Sequence, residues 1–424
     1  MIRDKNALEN FEKRIEVKGH LIDSMILTRI FDKIMDQKGE FEVEEFKIGK
    51  MKKDHSYVRL LVKGRSKNHL DKMLQEIYRD GAIPVELEAV RFQPSPNDKV
   101  IPDNFYSTTN NPTYIYLDGK WVKVENQMMD KIIAVYPSKG IAICKMIKSI
   151  KKGDLIVVGE TGVKVVPPER PRQGLGVFQF MNSQSSIEKP TQAMSKRIAE
   201  DIFKTKRNSG KVAVVAGPAV VHTGAVSALA KIIKEGYVDV LLAGNALAVH
   251  DVEYALFGTS LGVNIDDGTT AFMGHRNHMA AINEIFKVGS LKQAVVNGVL
   301  RKGIFFECIR NSVKFILAGS IRDDGPIPDV VTDTVEAQTR YKEALNGVDV
   351  VLMLATTLHS IAVGNMLPSS VKVIAVDINP SSVTKLLDRG TGQAIGLVSD
   401  IGVFLPSVAH SLNELKRKSV SKRV

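Results

Sequence analysis

From Gly210 to the C-terminal tail the sequence alternates short apolar runs with helix-length segments, and this alternation constrains the fold more than any other feature. Six runs, Val212 to Ala216, Val238 to Ala243, Lys314 to Ala318, Val348 to Leu354, Val371 to Val376 and Ala394 to Val398, are rich in Val, Ile, Leu and Ala. Parallel strands covered by helices on both faces read this way. Each run ends in small or polar residues: GPAVVHTG, GNALAVHD, GSIRDDGP, TTLHS, DINPSS and SDIG. In open parallel sheets, ligands bind in the crevice beyond the carboxyl ends of the strands. Six such junctions therefore predict a doubly wound, Rossmann-like α/β sheet with a ligand along one edge.

Ahead of this region the pattern changes twice. Strand-like runs at Lys13 to Val17, Phe41 to Ile48, Ser56 to Val62 and Ile83 to Ala89 bracket helical periodicity over Ile22 to Gln37 and His69 to Arg79. That βαββαβ order predicts a ferredoxin-like α+β domain over 1–111. Residues from Arg91 to Pro112, rich in Pro, Asn and Asp, read as a linker. Short β-type runs punctuated by Gly then predict a small β barrel or sandwich over 112–170, with hairpin turns at Asp118-Gly119 and Lys139-Gly140. The Rossmann-like domain takes the rest, 171–424. At its start, FQFMNSQSSIEKP reads as a helix N-cap region or as a loop offering Asn182, Ser183, Ser185 and Ser186 to a polar substrate.

The net charge of +11 raises the question of nucleic acid. Basic residues gather at Lys47 to Lys53 and Lys416 to Arg423, without the interleaved aromatics of a stacking platform. They read as solvated faces, so no nucleic-acid partner is expected; the positive field would favour an anionic cofactor. Cys144 and Cys308 stand far apart with no CxxC or His-rich context, as reduced thiols of a cytoplasmic protein would. No apolar run is long enough to cross a bilayer and no signal peptide is visible, so no membrane association is expected.

Candidate chemistry lies at the junctions. Gly217 to Gly224 follows a strand and opens a helix, but it is neither GxGxxG nor a Walker loop. Gly244-Asn245-Ala246 is small enough for backbone N–H groups to approach a diphosphate at a helix N-terminus. Asp377, just past a strand, reads as a turn cap or as the acceptor for a ribose diol; its charge would repel a 2'-phosphate and favour NAD over NADP. His275, Arg276, Asn277 and His278 open an amphipathic helix. No carboxylate completes a zinc-binding set there, so no metal is expected, whereas Arg276 could clamp a substrate carboxylate. Arg322, Asp323 and Asp324 follow a strand, as turn residues or as a pair of carboxylates suited to proton transfer.

The order and wording of these segments resemble the archaeal-type ornithine cyclodeaminases. That group was once labelled lysine-oxoglutarate reductase/saccharopine dehydrogenase-like, and it also forms the C-terminal part of bifunctional cyanobacterial arginine-degrading enzymes. The likeness spans nearly the whole chain and is densest in FQFMNSQSSIEKP, VVAGPAVVHTGA, LLAGNALAVHDVE, GHRNHMAAIN, AGSIRDDGPIPD, ATTLHSIAVGN, VDINPSSVTKL and SDIGVFL. It implies a deoxyhypusine synthase-like NAD-binding domain, which would explain the missing GxGxxG.

It also implies NAD used catalytically. Hydride leaves Cα of L-ornithine, the δ-amine attacks the resulting imine and expels ammonia, and hydride returns to the cyclic imine to give L-proline. The implied cofactor residues are Asn245, Ala246, Asp324, Thr356, Thr357, Leu358, His359, Asp377, Asp400 and Ile401. Asp323 is the expected proton acceptor, with Arg276 on the substrate carboxylate and His275 or Asn277 orienting the amines. The rival readings are an NAD-dependent amino-acid or saccharopine-type dehydrogenase and a non-catalytic regulator binding NAD and an amino acid. A homo-oligomer, dimer or tetramer, is expected in either case.

Overall fold

The structure, a computed structural model, describes residues 11–22, 25–50, 54–167, 188–265, 267–269, 271, 274–323, 325–388 and 394–421. The chain divides into two compact units, residues 1–179 and 180–424.

The C-terminal unit is built on a parallel sheet of seven strands: β1 (Val212–Ala216), β2 (Val240–Gly244), β3 (Lys314–Ala318), β4 (Val330–Val331), β5 (Val350–Leu354), β6 (Lys372–Asp377) and β7 (Ile395–Val398). They lie in the order β4-β3-β2-β1-β5-β6-β7, all parallel. The chain winds outward from β1 to one edge, then crosses back to β5 on the other side of β1, which makes the sheet doubly wound. The six predicted strands are present within two residues of their expected ends. The two-residue edge strand β4 was not foreseen.

Burial on both faces explains why these strands read as continuous apolar runs. Ala213, Val215, Leu242, Val351, Met353 and Val373, alternate residues of their strands, pack with Tyr341, Leu345, Val363 and Leu367. Val214, Leu241, Leu352 and Ile374 point the other way and are equally buried. Each fully buried Val, Leu or Ile contributes roughly 1.5–3 kcal/mol. The Tyr341 hydroxyl donates to the Ala243 carbonyl at 2.7 Å, tying a flanking helix to the carboxyl end of β2.

In the N-terminal unit, strands Phe11–Gly19, Glu40–Lys47, Ser56–Gly64 and Ile83–Pro84 form an antiparallel sheet. Glu40–Lys47 pairs with Ser56–Gly64, which pairs with Phe11–Gly19, which pairs with Ile83–Pro84. With helices Ile26–Asp36 and Lys67–Tyr78, this is the ferredoxin-like order. The last strand spans two residues, not the seven expected from Ile83 to Ala89.

A second, seven-stranded sheet follows. Strands Thr113–Leu117 and Lys120–Glu125 meet at Asp118-Gly119, whose φ angles of 50° and 77° make the left-handed two-residue turn that suits a twisted hairpin. The stretch from Arg91 to Pro112 is more than a linker: Phe92–Pro94 pairs with Leu155–Val157, and Tyr106 is 1% exposed. Among the described residues, no helix is long and apolar enough to cross a membrane.

Candidate active site

The carboxyl ends of β1, β2, β3 and β5 open into one cleft of about 570 Å³. β1 and β5 are the strands between which the winding reverses, so the cleft sits at the topological switch point. Its lining takes Ala216, Gly217 and Pro218 from the end of β1, Gly244 to Leu247 from the β2 junction, Ala318, Ser320, Arg322 and Asp323 after β3, and Thr356 to His359 after β5. Helix Asn245–Phe257 adds Val249 and His250, and His222, Leu261, His278 and Ile282 complete the wall.

Two glycines let the strand ends pack closely at the floor of the cleft. A β-carbon on Gly217 would lie 2.2 Å from the Ala355 carbonyl oxygen, and one on Gly244 would meet the His359 ring. Ala355 itself has φ of +47°, a left-handed conformation that turns the chain sharply from β5 into helix Thr357–Gly364. Helix Asn245–Phe257 begins at Gly244 with no side-chain cap, and helix Thr357–Gly364 begins at Thr356, whose hydroxyl bonds Nδ1 of His359 at 3.1 Å and not a backbone N–H. Both N-termini thus keep uncapped N–H groups and the positive end of a helix dipole at the cleft.

Asn245 is 5% exposed; its Oδ1 accepts the Ile327 N–H at 3.1 Å, which holds the chain after β3 against the β2 junction. Asp323 Oδ2 accepts the Ser320 N–H at 2.8 Å and is the one carboxylate among the described lining residues. Burial lowers the proton affinity of His359, while the Asp323 charge works in the opposite direction. Thr357 donates to the Ser382 hydroxyl at 3.1 Å, linking the helices after β5 and β6.

Of the residues singled out from the sequence, Asn245, Ala246, Asp323, Thr356, Thr357, Leu358 and His359 come together here. Others do not line the cleft. Asp377 ends β6, with Oδ1 accepting the Asn379 N–H at 2.8 Å. Asp400 accepts the Gly402 N–H at 2.6 Å at the start of helix Ile401–Ser421, and Ile401, 3% exposed, is part of the packed interior. Arg276 is exposed at the N-cap of helix Asn277–Val288, and Asn277 donates to Thr259 Oγ1 at 2.9 Å. Asp324, the His275 side chain and the segment holding Asn182, Ser183, Ser185 and Ser186 lie outside the described residues.

Sequence reasoning missed a histidine wall. His222 Nδ1 bonds Ser260 Oγ at 2.7 Å, and its ring stands edge-on to His250 at a centroid distance of 4.8 Å. Burial, reinforced by the neighbouring His250, lowers the His222 pKa to about 4 against the pull of Glu253, so the ring is neutral at physiological pH. His250 Nδ1 lies 2.9 Å from Oε2 of the wholly buried Glu253. The signal was present in GPAVVHTG and LLAGNALAVHDVE, where His250 and Glu253 fall three residues apart on one helix face.

Residues 12–111 match the LOR/SDH bifunctional enzyme conserved region, residues 112–195 the first region of the C-terminal part of ArgZ-like arginine dihydrolases, and residues 196–408 the Rossmann fold of that part. The ornithine cyclodeaminase of Methanocaldococcus jannaschii is 53% identical over 413 residues, covering 96% of this chain and 98% of that one. The chain belongs to the ornithine cyclodeaminase family. The apo structure of ArgZ, an arginine dihydrolase from the ornithine-ammonia cycle in cyanobacteria, superposes with a TM-score of 0.84 at 36% identity, over 98% of this chain and 60% of ArgZ. The ternary complex of AgrE with ornithine and NAD+ superposes with a TM-score of 0.53 at 37% identity, over 98% of this chain and 60% of AgrE.

Proposed function

We propose that this protein is an ammonia-lyase that converts L-ornithine to L-proline and ammonia with catalytically recycled NAD. The observation that carries the reading is the cleft at the switch point. It joins two uncapped helix N-termini over a glycine floor to a carboxylate, a guanidinium and four imidazoles, in a family whose member AgrE has been crystallised with ornithine and NAD+.

The residues present fit the cofactor. Gly217 and Gly244 bring the strand ends together at the cleft floor, and the N–H groups opening helices Asn245–Phe257 and Thr357–Gly364 are suited to a diphosphate. Asp377, at the end of β6, is suited to a ribose diol, with Asp400, just past the neighbouring β7, as a further member of the cradle. When bound, NAD supplies an acceptor for the Cα hydride and returns that hydride to the cyclic imine.

The chain's own residues divide the remaining work. Arg322, which lines the cleft where Arg276 does not, is suited to grip the substrate carboxylate in a forked pair. Asp323 is the counter-charge that seats a substrate ammonium in the cleft. Leu247, Val249 and Ile282 offer the methylenes an apolar surface and exclude water from the reacting carbon. One extra methylene changes such a fit by only roughly 1–3 kcal/mol, so lysine is the natural competitor.

We place the activity in the cytoplasm, in a self-assembled dimer or tetramer. Among the described residues, strand Glu40–Lys47 has one edge unpaired, and it exposes Val43 and Phe46.

The experiment is incubation with L-ornithine and NAD while following reduced nicotinamide, with proline and ammonia assayed at the end. Equal proline and ammonia without NADH build-up is the expected outcome. Steady NADH build-up would make this a dehydrogenase, and NAD binding without turnover would make it a regulator.

A further inference from the structure

We propose that His250, positioned by Glu253, is the proton shuttle of the cleft: its Nε2 takes the proton of a substrate ammonium and returns it to the departing amine. The inference rests on the proposed amine chemistry, although any amino-acid oxidation in this cleft makes the first of its two demands. Hydride can leave Cα only after the α-ammonium has lost an N–H proton, so that the nitrogen lone pair can form the C=N bond. For ring closure the δ-ammonium must lose a proton so that its lone pair can attack that carbon. The nitrogen about to leave must then gain a proton, so that the C–N bond breaks with its electron pair going to ammonia. The proton the leaving nitrogen gains matches the one the ring nitrogen gives up in forming its C=N bond. The two lost by the ammonium groups are regained by the proline nitrogen and by ammonia, so a group that accepts and returns one proton at a time ends the cycle unchanged.

Glu253 settles which nitrogen of His250 is free. It is 0% exposed, and its two oxygens accept from Thr259 Oγ1 at 3.0 Å, the Gly262 N–H at 3.0 Å and the Leu261 N–H at 3.2 Å as well as from His250. Burial raises its proton affinity, but the hydrogen bonds from His250, Gly262 and Thr259 outweigh this and hold the carboxyl below its usual range. A carboxylate surrounded by donors has no hydrogen to give, so Nδ1 of His250 carries the proton and Nε2 keeps a lone pair. When Nε2 takes a second proton, the charge forms 2.9 Å from a fixed counter-charge.

The surroundings favour His250 over its neighbours. His250 lines the cleft with 12% of its side chain exposed. His222, edge-on to it and bonded to Ser260, stays neutral and leaves room for one positive charge in the pair. His278 and Asp323 also face the cleft, but neither has a buried carboxylate bonded to it among the described residues. Glu253 also anchors the turn through Thr259, Leu261 and Gly262, so its effect on the histidine must be separated from that structural role.

The test compares wild type, His250→Gln and Glu253→Gln for proline formation across pH, with NAD affinity measured by calorimetry as the check on folding. His250→Gln is expected to lower kcat by at least about 100-fold, with the ornithine KM within roughly threefold and NAD affinity unchanged. Glu253→Gln is expected to lower kcat at least about tenfold with the ornithine KM within roughly threefold, because the imidazolium loses its counter-charge. A kcat within roughly threefold of wild type in either His250→Gln or Glu253→Gln overturns the proposal. Should Glu253→Gln lose NAD binding, His250→Ala with added imidazole decides: a rate rising with imidazole supports the shuttle, and no rise overturns it. A wild type inert toward ornithine but active on another amino acid overturns the ornithine reading alone, and the same variants on that substrate still decide on His250.

Discussion

A β-carbon on Gly244 would stand 2.9 Å from Cε1 and 3.2 Å from Nε2 of His359. The φ of Gly244 is −97°, so the backbone there suits any residue; what demands glycine is the ring of His359. Gly244→Ala is therefore expected to push the imidazole away and loosen its bond to Thr356, at a cost of about 1–3 kcal/mol in stability. NAD affinity, read by calorimetry, should fall by at least about fivefold. Unchanged affinity would remove the His359 ring from the cofactor's wall.

Asp251 produces the clearest pH signature outside the cleft. It is 0% exposed, and its oxygens accept the N–H groups of Ile304 and Phe305 at 2.8 and 3.0 Å. Burial raises its pKa to about 7 against those two hydrogen bonds. The folded state thus holds a proton between about pH 4 and 7 that the unfolded chain has released. The contribution of this group is fully present below that window and declines as pH rises through it. Against Asp251→Asn, which cannot titrate, the stability advantage of wild type in urea unfolding is expected to shrink from pH 4 to pH 8. A constant difference would show that Asp251 does not titrate there.

How much could be read in advance follows from where the information lies. β1, β3 and β5 announce themselves because a strand buried on both faces is apolar at every position, and helix-length segments separate it from the next. β4 has two residues, too few for any period, and exists because it pairs with Leu317 and Ala318. Tyr106 is buried in a stretch whose Pro, Asn and Asp content reports only that the chain turns there; the strand contact that orders it, from Tyr106 N–H to the Val157 carbonyl, is more than fifty residues away. The site was legible at strand ends, where position alone implies a role. His250 and Glu253 lie within a helix, and only the fold shows that the face they share turns toward His222 and Ser260. Arg276 opens a helix and Arg322 follows a strand; from the sequence either position could present a guanidinium to a ligand, but only Arg322 lines the cleft.

That contrast is open to a direct comparison. Arg322→Ala is expected to raise the ornithine KM by at least about tenfold, since a forked carboxylate pair is lost, and Arg322→Lys should recover little of it. Arg276→Ala should leave KM within roughly twofold, the behaviour of an exposed helix-end residue. A larger KM effect at Arg276 than at Arg322 would return the carboxylate to the site first read from the sequence.

Asp377 tests the cofactor choice. It ends β6, next to β5 in the sheet, and its Oδ1 holds the turn by accepting the Asn379 N–H. Asp377→Ala should weaken NAD binding at least roughly tenfold, the loss of a charge-assisted hydrogen bond. Asp377→Asn keeps an acceptor for the turn but removes the charge that would repel a 2'-phosphate, so its preference for NAD over NADP should narrow even where its stability matches wild type. Calorimetric titration of both variants with both dinucleotides separates the two roles of this carboxylate. If Asp377→Ala binds NAD as wild type does while losing stability, Asp377 serves the turn alone, and the ribose must be held by another strand end.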